Sequence, residues 1–300
     1  MKKLAKYKNG NYTVTIFDNG TKIRANNLDN LTPEFAESID INISTKCDGH
    51  CDWCYLNCSE NGKQADLNNP IFDTLHYGTE IALNANDLSH PDLENFLIRM
   101  KDKGVICNLT INQKHLHKNL YTLINWQENK LIWGLGISLV NSSDTQFILD
   151  IYKLKNVVIH VIDGLFTKTD LENLKEKNIK LLILGYKMVG KGISYYNQNK
   201  VSIESNINYL KENLFKYKSA FHGFGFDNLA VNHLEIQKQV SPDNWEMYHM
   251  GEEGEFTFFF DAVNNTYSIS SMESDKVYPV KDTDTIDTMF HYIRRLIVNT

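Results

Sequence analysis

Three cysteines stand within one short run, Cys47-Asp48-Gly49-His50-Cys51-Asp52-Trp53-Cys54. Thiolates are nucleophiles and metal ligands. The spacing C-x3-C-x2-C offers three sulfur donors, one fewer than a closed tetrahedral site needs, and a site one ligand short keeps a position open for chemistry. Thiolate-only ligation favours an iron–sulfur cluster or zinc. Zinc is the rival, because His50 and Cys58 could complete a set of four. Zinc folds usually hold two separated ligand pairs, however, and no second pair occurs in this chain. Disulfides are not expected, since the cysteine count of 5 is odd and no apolar segment of a secretory signal follows Met1-Lys2-Lys3.

The run has a definite context. Residues 38–44 alternate, with Ile39, Ile41 and Ile43 apolar, which reads as a strand. The cysteine loop follows at once, broken by Gly49, and Trp53 and Tyr55 flank Cys54. Motif and context together resemble the radical S-adenosylmethionine (SAM) superfamily, in which such a triad follows the first strand of a partial barrel. The resemblance implies a 4Fe-4S cluster held by Cys47, Cys51 and Cys54, with one iron left for the amino and carboxylate groups of S-adenosyl-L-methionine. It also implies reductive cleavage of SAM to methionine and a 5′-deoxyadenosyl radical that abstracts hydrogen from a substrate. The electron would come from an external donor such as flavodoxin or ferredoxin.

Members of that superfamily carry a Gly-Gly-Glu stretch after the second strand, facing the SAM amino group. Gly78-Thr79-Glu80 is nearer by letter but precedes the strand read at Glu80–Asn84, whereas Asn84, Ala85 and Asn86 end it and His90-Pro91 trails behind. The resemblance therefore places Asn84, Ala85 and Asn86 in the SAM-binding role. Asn86 then puts a neutral amide where a carboxylate is usual, losing a charge-assisted bond, with Asp87 beside it. Whether Asn86 or Glu80 takes the carboxylate's place stays open. Thr110 and Asn112 at the end of the third strand, and Ser138 on the fourth, complete the SAM-contact set. Gly185-Tyr186-Lys187 and Asp227 are substrate-side candidates. His160 faces either core or pocket. Cys107 reads as core, Cys58 as having no thiol neighbour, His115 and His117 as loop or surface, and Trp245, Met247 and Met250 as packing of the tail.

The elements that must position these residues alternate between two periods. A hairpin is expected at residues 11–25 around Asp18-Asn19-Gly20. Strands follow at Ile39 onward, Glu80–Asn84, Val105–Ile111, Ile132–Val140, Val157–Ile162, Lys180–Leu184 and near Phe224-Gly225-Phe226, with amphipathic helices between them. Such βα alternation predicts an α/β fold: a partial (β/α)6 TIM-like barrel with its site at the C-terminal strand ends. The expected division is an N-terminal hairpin cap at 1–37, a barrel at 38–240 and a C-terminal α+β tail at 241–300. The tail starts at the Ser241-Pro242 cap, continues as a hairpin around Asn264-Asn265 and ends in a helix from about Asp282. It carries no cysteine, so a single cluster is expected.

Composition narrows the partners. The 300 residues are 42% hydrophobic with net charge −6, enough for a large core and without general attraction to nucleic acid. No apolar run reaches a membrane span. Thiols kept for a cluster fit a reducing, cytoplasmic setting. The substrate class stays open between a peptide or protein and a nucleoside, lipid or small molecule. The second class of reading is a non-catalytic zinc- or cluster-binding module on a degenerate barrel.

Overall fold

The structure is a computed structural model that describes residues 1–28 and 30–298. Its N-terminal strands are β1 (Lys3–Asn9), β2 (Tyr12–Phe17) and β3 (Lys22–Ala25), paired antiparallel in that order. The expected hairpin is β2–β3. β1 was not expected from the sequence: Lys6 and Lys8 alternate with Ala5 and Tyr7, but the inward set is short and ends in the polar Asn9. Tyr12, Val14 and Ile16 are buried against Ile106 and Phe256, which ties this sheet to the main body. At the seam, the fully buried Glu37 carboxylate accepts from the Tyr12 hydroxyl and from Arg24 Nε at 2.9 and 3.1 Å. A charge taken out of water persists only when partnered in this way.

The main sheet runs through β4 (Ser38–Asn42), β5 (Glu80–Asn86), β6 (Ile106–Asn112), β7 (Gly134–Ser138), β8 (Val157–Ile162), β9 (Lys180–Leu184) and β10 (Gly223–Phe226). Each is hydrogen-bonded to the next in parallel. Helices α1 (Leu93–Lys103), α2 (Leu116–Glu128), α3 (Thr145–Ile151), α4 (Lys168–Leu174) and α5 (Lys191–Asn213) make the crossovers. After β10 come α6 (Asn228–His233), α7 (Ile236–Gln239) and α8 (Pro242–Tyr248), then β11 (Thr257–Asp261), β12 (Thr266–Ser268), β13 (Tyr278–Pro279) and α9 (Ile286–Val298). β11 and β12 form the expected tail hairpin, but β11 also lies parallel to β4, with Phe259 opposite Asp40. The tail thus extends the main sheet on the side of β4 away from β5. Met247 and Met250, expected to pack the tail, are instead exposed at 68% and 44%, because the short α8 presents no apolar stripe. Among the described residues, no helix is long and apolar enough to cross a membrane.

The pleat decides which residues can meet. One set, including Ile39, Ile41, Leu83, Ile111, Ile137, Ile159 and Ile183, is buried in the main core. The alternate set points the other way, and much of it, including Asp40, Asn42, Asn84, Thr110, Ser138 and His160, lines one cavity of about 680 Å³. Register sorts that lining into rows: Asp40–Ala82–Asn108–Gly134, then Asn42–Asn84–Thr110–Gly136, then Asn112–Ser138–His160–Leu182 nearest the C-terminal strand ends. Phe17, Asp18, Asn19 and Gly20 of the N-terminal sheet line the opposite end.

Candidate active site

The cysteine loop leaves the C-terminal end of β4 and is stapled by its own return segment. Thr45 N–H donates to Lys63 O at 2.8 Å, Ser59 N–H to Thr45 O at 3.0 Å and Cys47 N–H to Ser59 O at 2.9 Å. Neighbouring elements grip the other side. From the turn after β6, Lys114 Nζ donates to Gly49 O at 2.7 Å and Asn112 Nδ2 to Cys51 Sγ at 3.6 Å. From the start of α5, Lys191 N–H donates to Cys54 O at 3.1 Å, and Tyr195 meets Trp53 edge-on at 5.5 Å.

Cys47, Cys51 and Cys54 all line the cavity, half-buried. Gly49 N–H donates to Cys47 Sγ at 3.3 Å, and a Cβ at Gly49 would lie 3.1 Å from Cys47 Sγ and 3.8 Å from Cys51 Sγ. The missing side chain leaves room between the two sulfurs. The three sulfurs do not all lie within 4.8 Å of one another. Thiolates around one zinc, with Zn–S about 2.3 Å, would approach to about 3.8 Å in a tetrahedron. The three sulfurs are thus not placed around one ion, whereas Cys47 Sγ, an Asp48 carboxylate oxygen and a His115 ring nitrogen do lie within 4.8 Å of one another.

Two expectations are corrected at and beside this loop. Cys58 does have a thiol neighbour: its N–H donates to Cys54 Sγ at 3.4 Å, and its buried thiol reaches the same sulfur. The loop curls back on itself, which spacing alone does not reveal. That thiol hydrogen bond, outweighing burial, draws the Cys54 pKa down to about 6 and pushes that of Cys58 up. Burial raises Cys47 and Cys51. His115 is not on the surface either. It is 3% exposed, with Nε2 2.8 Å from Asp48 Oδ1 at an angle that leaves neither ring nitrogen hydrogen-bonded. His117 is exposed and meets Asp150 at 2.7 Å.

The SAM-side candidates divide. Asn84, Asn86, Thr110, Asn112 and Ser138 line the cavity, whereas the Ala85 side chain is buried in the core. Asn84 Nδ2 donates to Asn42 Oδ1 at 3.3 Å, and Asn42 Nδ2 to Asp261 Oδ1 at 3.1 Å. Asn86 sits at a bulge with φ 47° and donates to Ser44 O at 2.9 Å and Lys46 O at 3.1 Å. It buttresses the cysteine loop from below, as bulges beside sites often do. Glu80 lies at the far, N-terminal end of β5, paired with Lys22 at 2.6 Å.

A second group of polar side chains faces the same cavity. Lys187 Nζ donates to Ser271 Oγ at 2.6 Å and lies 4.2 Å from the Tyr55 ring centroid, joining tail, cysteine loop and β9. Asp227 caps α6 by accepting from Ala230 N–H at 2.8 Å and also from Gly185 N–H at 2.9 Å. Asp40 and Glu253 complete the group electrostatically, and the sequence reading passed over both. An acidic residue inside an apolar strand was the available signal for Asp40.

His160 points into the cavity, lying over Gly136, where a Cβ would come 2.3 Å from its Cε1. Burial first, and Lys187 second, lower its pKa to about 4. An unfolded histidine takes its proton near pH 6.5, so between about 6.5 and 4 the unfolded chain binds more protons and stability falls as pH falls. Thermal melts across this range are expected to show that loss. The difference from a His160→Phe curve isolates it; identical slopes would refute the buried, neutral imidazole.

No family model matches the chain, and no curated protein does. Solved structures do. SuiB of Streptococcus suis bound to precursor peptide SuiA is 14% identical with TM-score 0.56, covering 86% of this chain and 65% of that one. SuiB bound to S-adenosylmethionine is 12% identical with TM-score 0.56, covering 88% of this chain and 68% of that one. The chain thus spans about two-thirds of SuiB's length. At this identity the likeness is one of fold: the α/β chain, with its large, mostly parallel sheet, is built like SuiB.

Proposed function

We propose that the chain is a radical SAM enzyme, with residues 38–240 acting as a partial barrel, 1–37 as its cap and 241–300 as a tail that shapes the substrate end. One observation carries this: a three-thiol loop stands at the C-terminal end of β4, over a cavity of about 680 Å³. Cys47, Cys51 and Cys54 would hold a 4Fe-4S cluster. When bound, such a cluster supplies the electron that cleaves SAM to methionine and a 5′-deoxyadenosyl radical. Asn84, Asn86, Thr110, Asn112 and Ser138 would orient SAM, Ala85 contributing backbone only. Leu165, Phe166, Leu182 and Leu184, in the apolar part of the lining, would help to keep water from the reaction. The fold likeness to a protein seen with SAM and with a precursor peptide supports SAM use and a peptide substrate. An external electron donor is required.

Anaerobic loading with iron and sulfide, followed by reduction in the presence of SAM, is expected to yield 5′-deoxyadenosine. A loaded protein that leaves SAM intact would overturn the reading.

Cys58 favours a second reading, a closed four-thiol site in a non-catalytic module. Against it, among the described residues no third ligand atom joins the sulfurs of Cys54 and Cys58 within 4.8 Å. Metal analysis separates the two, since one zinc per chain would support the module.

A further inference from the structure

Asp40 stands out among the polar groups of the cavity because, among the described residues, no hydrogen-bond donor satisfies it. It lies in the middle of β4, between Ala82 of β5 and Phe259 of β11. Its side chain is exposed, but what it is exposed to is the cavity, deep inside the molecule. Its charged neighbours are all otherwise engaged. Asp227 is held by two backbone N–H groups, and Lys187 by Ser271 and the Tyr55 ring. Among the described residues, no donor reaches the Asp40 carboxylate, and only the more distant charges of Lys187 and Asp227 act on it.

The charge balance points the same way. The carboxylates of Asp40, Asp227 and Glu253 all act on the Lys187 ammonium, and among the described lining residues acidic groups (Asp18, Asp40, Glu80, Asp170, Asp227) outnumber the lysines, Lys180 and Lys187. Burial, against the pull of Lys187, holds the Asp40 carboxyl above its usual range. A carboxylate that faces a cavity with no donor from the protein is free to pair with an incoming cation that carries N–H groups. An anionic occupant would meet the reverse, because Lys187, the ammonium acting on Asp40, is already shared.

We propose that Asp40 is a specificity-determining residue that receives a cationic side chain, ammonium or guanidinium, of a peptide bound in the cavity. This rests on the reading of the cavity as the substrate site. It places the recognition group in the middle of β4, in one row with Ala82, Asn108 and Gly134.

The test uses the full chain, loaded with iron and sulfide, and short alanine-based peptides with one central Lys, Arg, norleucine or Glu. Calorimetric titration is expected to show the Lys and Arg peptides binding about tenfold or more tighter than the norleucine peptide, as one charge-assisted hydrogen bond implies. Asp40→Asn should erase that preference. The acidic chain attracts cations generally, so Asp102→Asn, on the exposed face of α1, serves as control and should keep it. Equal binding of the Lys and norleucine peptides by the unmodified chain would overturn the proposal whether or not the variant folds. So would a preference that survives Asp40→Asn. Cation preference without SAM cleavage would leave this proposal standing and remove the radical reading; SAM cleavage without preference would do the opposite.

Discussion

Replacing Cys54 by serine is expected to strip the chain of iron and to abolish 5′-deoxyadenosine formation, while Cys58→Ser keeps both. The two residues lie four apart on one loop and touch, yet the proposed function gives them different tasks. Cys54 is the third donor, held toward the cavity by Lys191 N–H on its carbonyl. Even changes to groups that merely support a metal ligand cost about 10- to 100-fold in affinity, so loss of a ligand should exceed that. Cys58 instead leans on Cys54 from behind and is contacted by Asn86 at 3.7 Å. Serine can still donate to the Cys54 sulfur there. Iron and sulfide content, read with the absorbance of the loaded protein, decides the matter. Loss of metal in both variants, with zinc as that metal, would replace the open three-thiol site by a closed one.

The legible parts of the site were those in which residue type and strand period coincide. Cys47, Cys51 and Cys54 announce themselves by spacing, and the alternation through Ile39, Ile41 and Ile43 puts their loop at a strand end. The same alternation brings Thr110, Asn112 and Ser138 to one cavity, because residues two apart share a face. Ala85 shows the limit of that logic. Lying between Asn84 and Asn86, it must face the opposite side, and it is indeed buried in the core. What depends on chain reversal was not legible. Cys58 returns to Cys54 through a turn whose closure rests on backbone bonds, and His115 is buried because a three-residue turn after β6 folds it toward Asp48. The place of β11 beside β4 is a long-range pairing, invisible to local pattern.

Gly62→Ala is expected to do nearly as much harm as losing a cysteine, although residue 62 bears no functional group. Gly62 closes the turn whose N–H donates to Ser59 O at 3.0 Å, and this turn lies directly on the strand of loop that leads into Cys47. A Cβ there would stand 2.0 Å from Thr45 O and 2.5 Å from Lys46 N. Both are backbone atoms, so no side-chain rotation relieves the overlap. The segment 59–63 must move away, which opens the bonds from Cys47 N–H to Ser59 O and from Thr45 N–H to Lys63 O. Overpacking of this kind typically costs about 1–3 kcal/mol, and here the strain falls on the segment that aims the first thiol. The expected result is a lower melting temperature together with poor iron loading. Gly223→Ala is the matched control: its Cβ would meet nothing within 4 Å, so its effect should stay within about 0.5 kcal/mol. Should the Gly62 variant melt and load iron like the unmodified chain, the stapled return segment would not be what holds Cys47 in place.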